Sequence, residues 1–226
     1  MTPAKIASLI DHTLLKPEAT AEQIAQLCDE AAQYNFTAVC INPRWVSLAA
    51  DRLNSTQVKI ATVCGFPLGA DTTQDKVAQA HAAMFAGADE IDVVADLSSI
   101  VTQDENYFSK QLTALLKTCR TMRPAVTLKV ILETAALSEE QIIWAASLAS
   151  HIGADFVKTS TGFHPAGGAT VEAIRLLKEY AIGCRVKAAG GIRTAEQLQA
   201  MVEAGASRIG VSGGVAIMQE LDIQEK

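Results

Sequence analysis

The chain has 226 residues, 49% of them hydrophobic and 19% charged, and a formal net charge of −6 at pH 7. That length suits one folded domain of the larger kind, residues 1–226, and an acidic balance with no basic run argues against nucleic acid as a partner. No apolar run approaches the ~20 residues of a membrane helix, Met1–Lys5 lacks the apolar core of a signal peptide, and the five cysteines form no CxxC pair or ligand-like cluster. The expectation is a soluble, cytoplasmic domain with no membrane partner, no metal and no cofactor.

Apolar, β-rich runs alternate with longer helical patterns. The predicted strands are Ile6–Ile10, Thr37–Ile41, Lys59–Cys64, Glu90–Val94, Leu128–Glu133, Phe156–Ser160, Arg185–Gly190 and Arg208–Ser212. The first run also reads as the end of a short N-terminal helix. Between strands, Ile24, Leu27, Cys28 and Ala31 fall at helical spacing, as do Phe108, Leu112, Leu115 and Cys119. Thr20 with Gln23, Ser138 with Gln141 and Thr194 with Gln197 have the spacing of capping boxes. Gly87-Ala88, Gly153-Ala154 and Gly205-Ala206 each stand before a strand, where a left-handed residue ends the preceding helix. Eight such units predict an α/β fold, a (βα)8 TIM barrel; a doubly wound open sheet also alternates, but eight units with glycine-rich loops favour closure.

Polar residues interrupt these apolar strands at or near the ends where a barrel gathers its chemistry. Because strand side chains alternate, Phe156, Lys158 and Ser160 share one face, and so do Glu90, Asp92 and Val94. A lysine simply reaching solvent from a strand end is the plain reading of Lys158. The alternative is a buried amine whose cation is disfavoured, which makes it a nucleophile toward carbonyls. Asp92 sits mid-strand among apolar residues and needs an internal partner, for which a lysine is expected. Strands six and seven should be neighbours, placing Lys187 close enough to Lys158 to repel it. Bringing a lysine from ~10.4 to ~7 takes ~4.6 kcal/mol of differential destabilisation. Glu90 and Lys129 read as a stabilising pair at the barrel bottom, and Glu133 as a loop-orienting residue. Gly162, Gly190-Gly191 and Ser212-Gly213-Gly214 follow strands six to eight, where barrels bind phosphate with backbone amides and a short helix, here placed at Val215–Leu221.

The stretches IDHTLLKPEAT (10–20), AVCINPRWV (38–46), GFPLGADTT (65–73), GADEIDVV (87–94), LKVILETA (128–135), GADFVKTSTGF (153–163), VKAAGGIRT (186–194) and SRIGVSGGVAI (207–217) together resemble the deoxyribose-phosphate aldolases, nearly end to end. The resemblance implies a metal-free Schiff-base aldolase that reversibly cleaves 2-deoxy-D-ribose 5-phosphate to acetaldehyde and D-glyceraldehyde 3-phosphate. It matches Lys158 to the Schiff-base lysine, Lys187 to the second lysine that perturbs it, and Asp92 to the carboxylate of the proton relay. Asp11 and Thr13 match the sugar-hydroxyl side. Thr161, Gly162, Gly190, Gly191, Ser212 and Gly213 fall on the substrate and phosphate side. Three departures bear on rate and phosphate affinity. Ala95-Asp96 replaces an Ile-Asn-type pair, Gly213 replaces a second serine, and the chain ends Ile223-Gln224-Glu225-Lys226 where some members carry a terminal tyrosine. The enzyme rivals are a transaldolase-like or sugar-phosphate isomerase activity, and the non-enzyme rival is a binding barrel. Imine chemistry discriminates against the isomerase, which would not need Lys158, and two facing lysines with Asp92 speak against the binding barrel. Trp45, Trp144 and the apolar helix faces either serve a homo-oligomer, such as a dimer, or pack on the barrel.

Overall fold

The computed structural model describes residues 1–224. Eight parallel strands close into a barrel in chain order. They are β1 (Ile10–Leu14), β2 (Ala38–Ile41), β3 (Lys59–Cys64), β4 (Glu90–Val94), β5 (Thr127–Ile131), β6 (Phe156–Lys158), β7 (Arg185–Ala189) and β8 (Arg208–Val211). β1 pairs with both β2 and β8, which closes the sheet and removes its edges. Helices follow the strands and wrap the outside, as the alternating pattern predicts.

The N-terminus differs from the expected strand at Ile6–Ile10. Pro3–Ala7 is a short helix, with proline in its first turn and the Thr2 hydroxyl accepting the Lys5 N–H. A five-residue apolar run carries no decisive period, and the cap and proline settle it as helix. The strand therefore begins at Ile10, and Asp11 and Thr13 lie within β1 rather than after it. Elsewhere the predicted strands run one or two residues too far, through Glu133, Ser160, Gly190 and Ser212. Glu133 (φ 60°) and Gly190 (φ 90°) adopt left-handed conformations that turn the chain out of the sheet.

The helical layer follows from the sequence pattern. Ile24, Leu27, Cys28 and Ala31 form the buried stripe of Ala21–Gln33. Reciprocal capping boxes are present at Thr20/Gln23 and Ser138/Gln141. The third expected box is only half formed: Thr194 accepts the Gln197 N–H, but the Gln197 side chain accepts from Arg193 N instead. Gly87, Gly153 and Gly205 all have positive φ, as their place after helices requires. Trp144 packs on Phe108 at 5.3 Å between ring centroids, and Trp45, half-buried against the core, lies under Arg44.

Outward strand residues such as Val39, Ile91, Val93, Val130 and Val157 join the helix stripes in one extensive core. Each large apolar side chain so buried stabilises the fold by about 1.5–3 kcal/mol. Inside the barrel a separate small cluster of Leu15, Ala38, Cys40, Ala61 and Val63, with Phe66 against it, fills only the β2–β3 side. Across the rest of the interior, charged side chains stand among Val94, Ile131 and Phe156, which share their strand parity. After β8 the helix Gly214–Gln224 begins, one residue before the expected start. Glu225 and Lys226, the last two residues of the Ile223-Gln224-Glu225-Lys226 ending, lie outside the described residues. No described helix is long and apolar enough to cross a membrane.

Candidate active site

Strand parity sends Asp11 (β1), Glu90 and Asp92 (β4), Lys129 (β5), Lys158 (β6), Lys187 (β7) and Arg208 (β8) into the barrel. Parallel register sets Asp92 beside Lys129, Lys158 beside Lys187, and Lys187 beside Arg208. Gly210 on β8 leaves the room that the Lys187 side chain occupies; a Cβ there would lie 3.4 Å from Lys187 Cε.

Six of these seven charges form a closed, alternating ring. Lys187 donates to Asp11 and, at 2.8 Å, to Asp92 Oδ2. Lys129 donates to Asp92 Oδ1 at 2.6 Å and pairs with Glu90 at 2.5 Å. Arg208 donates to Glu90 at 3.1 and 3.2 Å and returns to Asp11 at 2.6 Å. Lys158 hangs from this ring by one bond, 2.9 Å to Asp92 Oδ2. Burying a charge costs several kcal/mol unless it is paired, and here every charge is paired.

Partners outweigh burial in this interior. Burial alone would raise the Asp11 carboxyl, but the Lys187 and Arg208 cations bring it down to about 2. Burial would likewise raise Asp92, but Lys129, Lys158 and Lys187 hold it well below the ordinary carboxylate range. Burial would lower Lys187, and Asp11 with Asp92 push it above the ordinary lysine value instead. Lys129 is raised for the same reason, with burial opposed by Asp92 and Glu90. The expected neighbourhood of Lys158 and Lys187 is present, but both amines share one carboxylate oxygen rather than facing each other bare.

Above the ring lies a pocket of about 310 Å³ with Lys158 at its floor. Of the sequence-predicted residues, Thr13, Lys158, Thr161, Gly162, Gly190, Gly191 and Ser212 line it. Asp11, Asp92 and Lys187 lie beneath the floor, fully buried. Asp11 therefore does not reach the sugar-hydroxyl side; both its oxygens are taken by Lys187 and Arg208. Gly213 stands off the pocket wall. Gly162, Gly190 and Gly191 have φ of 84°, 90° and 82°, conformations that L side chains rarely adopt. A Cβ on Gly190 would press on Gly168 Cα at 3.0 Å and Gly162 Cα at 3.3 Å, because three backbone segments meet there. Glu133 orients this wall as expected: it accepts the Thr161 hydroxyl at 2.6 Å and the Thr161 N–H at 3.2 Å.

The Glu90–Lys129 pair is where it was expected, yet it also reaches Asp92, which sequence reasoning missed. Arg208 was missed outright, although a cation at inward parity in an apolar strand was its signal. Lys16 lines the pocket two residues beyond β1, inside the IDHTLLKPEAT stretch, and Arg193 lines it after β7. His12 faces outward, 2.7 Å from Glu30, and His164 accepts the Ala166 N–H in its own loop. Among the described residues, no cluster of three or more His, Cys, Asp or Glu side chains is placed to hold a metal ion.

Fold and site together define a (βα)8-barrel enzyme with an amine at the floor of a glycine-rimmed pocket. The DeoC/LacD family aldolase profile matches residues 5–220, and the chain belongs to that family of aldolases. It is 50% identical to a deoxyribose-phosphate aldolase of Thermoanaerobacter sp. (strain X514) over 95% of this chain and 96% of that one. It is also 50% identical to one of Thermococcus gammatolerans, over 97% of each. The solved deoxyribose-phosphate aldolase of Aeropyrum pernix, described as a tetramer, superposes with a TM-score of 0.91 at 32% identity, covering 98% of this chain and 92% of that one.

Proposed function

We propose that this chain reversibly cleaves 2-deoxy-D-ribose 5-phosphate to acetaldehyde and D-glyceraldehyde 3-phosphate through a lysine Schiff base, in one barrel domain and without a cofactor. The observation that carries the reading is Lys158, the one inward lysine that reaches the pocket while held from below by Asp92. Lys129 and Lys187 each answer to two carboxylates, whereas Lys158 answers to one oxygen already shared with Lys187. It is therefore the amine within reach of a substrate carbonyl.

The Lys158 amine attacks C1 of the open-chain sugar, and loss of water gives an iminium. Asp92 and Lys187, directly beneath, manage the proton of the C3 hydroxyl. As that proton leaves, C3 becomes the aldehyde carbon of the three-carbon product. The C2–C3 bond breaks, since the two-carbon product keeps C1 and C2, and its electrons flow to the iminium nitrogen as an enamine. Protonation at C2 and hydrolysis release acetaldehyde and return the free amine. The phosphate rests on the backbone amides of Gly162, Gly190, Gly191 and Ser212, with the N-terminus of helix Gly214–Gln224 behind them. Thr13 and Thr161 supply hydroxyls on the pocket wall. An isomerase has no use for an amine at this place.

A cytoplasmic location goes with this reading, because phosphorylated sugars are held there and five free thiols stay reduced. A homodimer remains the proposed assembly, checked by light scattering. The function is tested by turnover of the sugar phosphate and by trapping with acetaldehyde and borohydride. The adduct is expected at Lys158 by peptide mapping, and activity is expected to survive a chelator. An adduct at another lysine, or none, overturns the reading.

A further inference from the structure

We infer that His12, anchored by Glu30, is a positioning residue that fixes the N-terminus of helix Gly214–Gln224 against the barrel, and with it the backbone amides that meet the substrate phosphate. The inference rests on the phosphate lying at that helix end.

His12 stands in β1 between Asp11 and Thr13, so strand parity turns it outward, away from the charged ring and under the helical layer. Its register partner on β8 is Val211, the last residue of that strand and the one before Ser212. The imidazole therefore lies where the chain leaves β8 for the phosphate side of the pocket. Helix Ala21–Gln33 supplies its anchor: Glu30 Oε2 lies 2.7 Å from Nε2, and Glu30 Oε1 accepts from Gln26 Nε2 at 2.8 Å. With a carboxylate as the acceptor, Nε2 carries the hydrogen and the ring orientation is set. The other ring nitrogen, Nδ1, is buried and has no hydrogen-bond partner among the described residues.

Nδ1 meets the first residue of the helix instead. A Cβ on Gly214 would lie 3.0 Å from it, and 3.1 and 3.2 Å from Cε2 and Cζ of Phe36. The φ of Gly214 is not left-handed, so no backbone conformation calls for glycine there; the close approach does. Phe36 packs edge-on against His12 at 5.2 Å between ring centroids and stacks on Tyr34 at 5.6 Å, which backs the contact from behind. The Ile217 N–H donates to Gly213 O at 3.1 Å and opens the helix, so the N–H groups of Gly214, Val215 and Ala216 have no intrahelical acceptor. Such groups are what a helix terminus offers an anion. Burying Nδ1 without a partner is unfavourable, and a leucine would fill the same trough without that cost. What His12 adds over a leucine is a fixed direction, because Glu30 grips one nitrogen while the ring bears on Gly214.

The test separates the phosphate from the rest of the sugar. His12→Leu fills the trough but gives up the grip of Glu30, and Glu30→Ala removes the grip and leaves His12. Each is expected to raise KM for 2-deoxyribose 5-phosphate about five- to tenfold. Neither is expected to change kcat, or kcat/KM for unphosphorylated 2-deoxyribose. The inhibition constant of inorganic phosphate rises by the same factor, and Glu30→Gln, which keeps an acceptor for Nε2, holds the parental KM. A merely structural role lowers Tm and, through loss of folded enzyme, slows both sugars alike. That result, or a KM unchanged in both variants, overturns the inference. Should His12→Leu not fold by circular dichroism, Glu30→Ala, at the half-buried edge of the contact, gives the same reading. A parent enzyme that does not favour the phosphorylated sugar overturns the phosphate site and the inference with it, and a parent that cleaves neither sugar overturns the function; both show before any variant is compared.

Discussion

Lys76, in the helical layer, and Lys187, inside the barrel, are both without solvent exposure, yet burial leaves them in opposite states. The Lys76 ammonium donates to Gly69 O at 2.7 Å, Val94 O at 2.9 Å and Gln111 Oε1 at 3.0 Å, all neutral acceptors. Burial dominates there and lowers its pKa below the ordinary lysine value. Lys187 meets Asp11 and Asp92, and two carboxylates reverse the effect of burial. The difference teaches that a buried lysine is not a nucleophile by virtue of burial. Lys76 staples the loop after β3 to the end of β4 from outside the barrel. Lys158 gains its candidacy from a pocket above it and a carboxylate already neutralised below it.

The sharpest way to break the comparison is to remove each amine. Lys158→Leu is expected to lose at least about 10⁴-fold in kcat, or ~5 kcal/mol, with the fold retained. Lys187→Leu is expected to lose about 10²–10⁴-fold, because the proton relay beneath Lys158 loses the amine that shares Asp92 Oδ2 with it. Full activity in either variant, measured by coupled assay, would return that lysine to a structural role.

Lys76→Met should instead act on stability, by about 2–4 kcal/mol, since it strands three buried acceptors, while kcat of the folded enzyme changes little. The alkaline range separates the two lysines by sign. Lys76 is lowered in the folded state, so the unfolded chain holds the proton longer, and stability rises as pH climbs through the folded value toward ~10.4. Lys187 is raised, so its contribution is full below the unfolded value of ~10.4 and is lost as pH rises beyond it. Urea titrations of Lys76→Met and Lys187→Leu against the parent should show slopes changed in opposite senses; equal changes would mean that partners do not decide the matter.

At acid pH the barrel interior has its own signature. The Asp11 carboxyl lies at about 2 against 3.8 for a free aspartate, so its contribution is fully present above about pH 4 and disappears as pH falls toward 2. That contribution is about 2 kcal/mol. Asp11→Asn should flatten this part of the stability profile, and an unchanged acid limb would show that Lys187 and Arg208 do not hold the carboxylate.

The smallest effect concerns the rim above the ring. Gly191→Val forces a β-branched residue to φ 82° while its side chain meets nothing within 4 Å. The expected result is a roughly tenfold rise in KM for the phosphorylated sugar, ~1.4 kcal/mol, with little change for 2-deoxyribose itself. If Arg193→Ala or Lys16→Ala abolished phosphate discrimination and Gly191→Val did not, cations rather than backbone amides would hold the phosphate.

Much of this was legible in the chain by itself. Alternation of apolar strands with 3.6-residue stripes predicted the eightfold barrel, and the parity of Glu90-Ile91-Asp92 and Phe156-Val157-Lys158 placed Asp92 and Lys158 inward, because side-chain direction along a strand is a local property. Glycines after β6 and β7 marked the pocket rim because positive φ is a local requirement too; after β8 only Ser212 lines it, and Gly213 does not. Ile6–Ile10 misled because so short an apolar run has no readable period, and Thr2 and Pro3 decided for helix. The ring belonged to tertiary structure alone. Parity says that Asp11 and Arg208 face inward, but not that they touch across 197 residues of sequence; closure of β8 on β1 does that. Nor does composition reveal that Lys187 shares one oxygen of Asp92 with Lys158 while Asp11 answers it from the far side. The sign of a buried lysine's shift depends on which carboxylates lie within hydrogen-bond reach, and that distance is set only when all eight strands are in register around one axis.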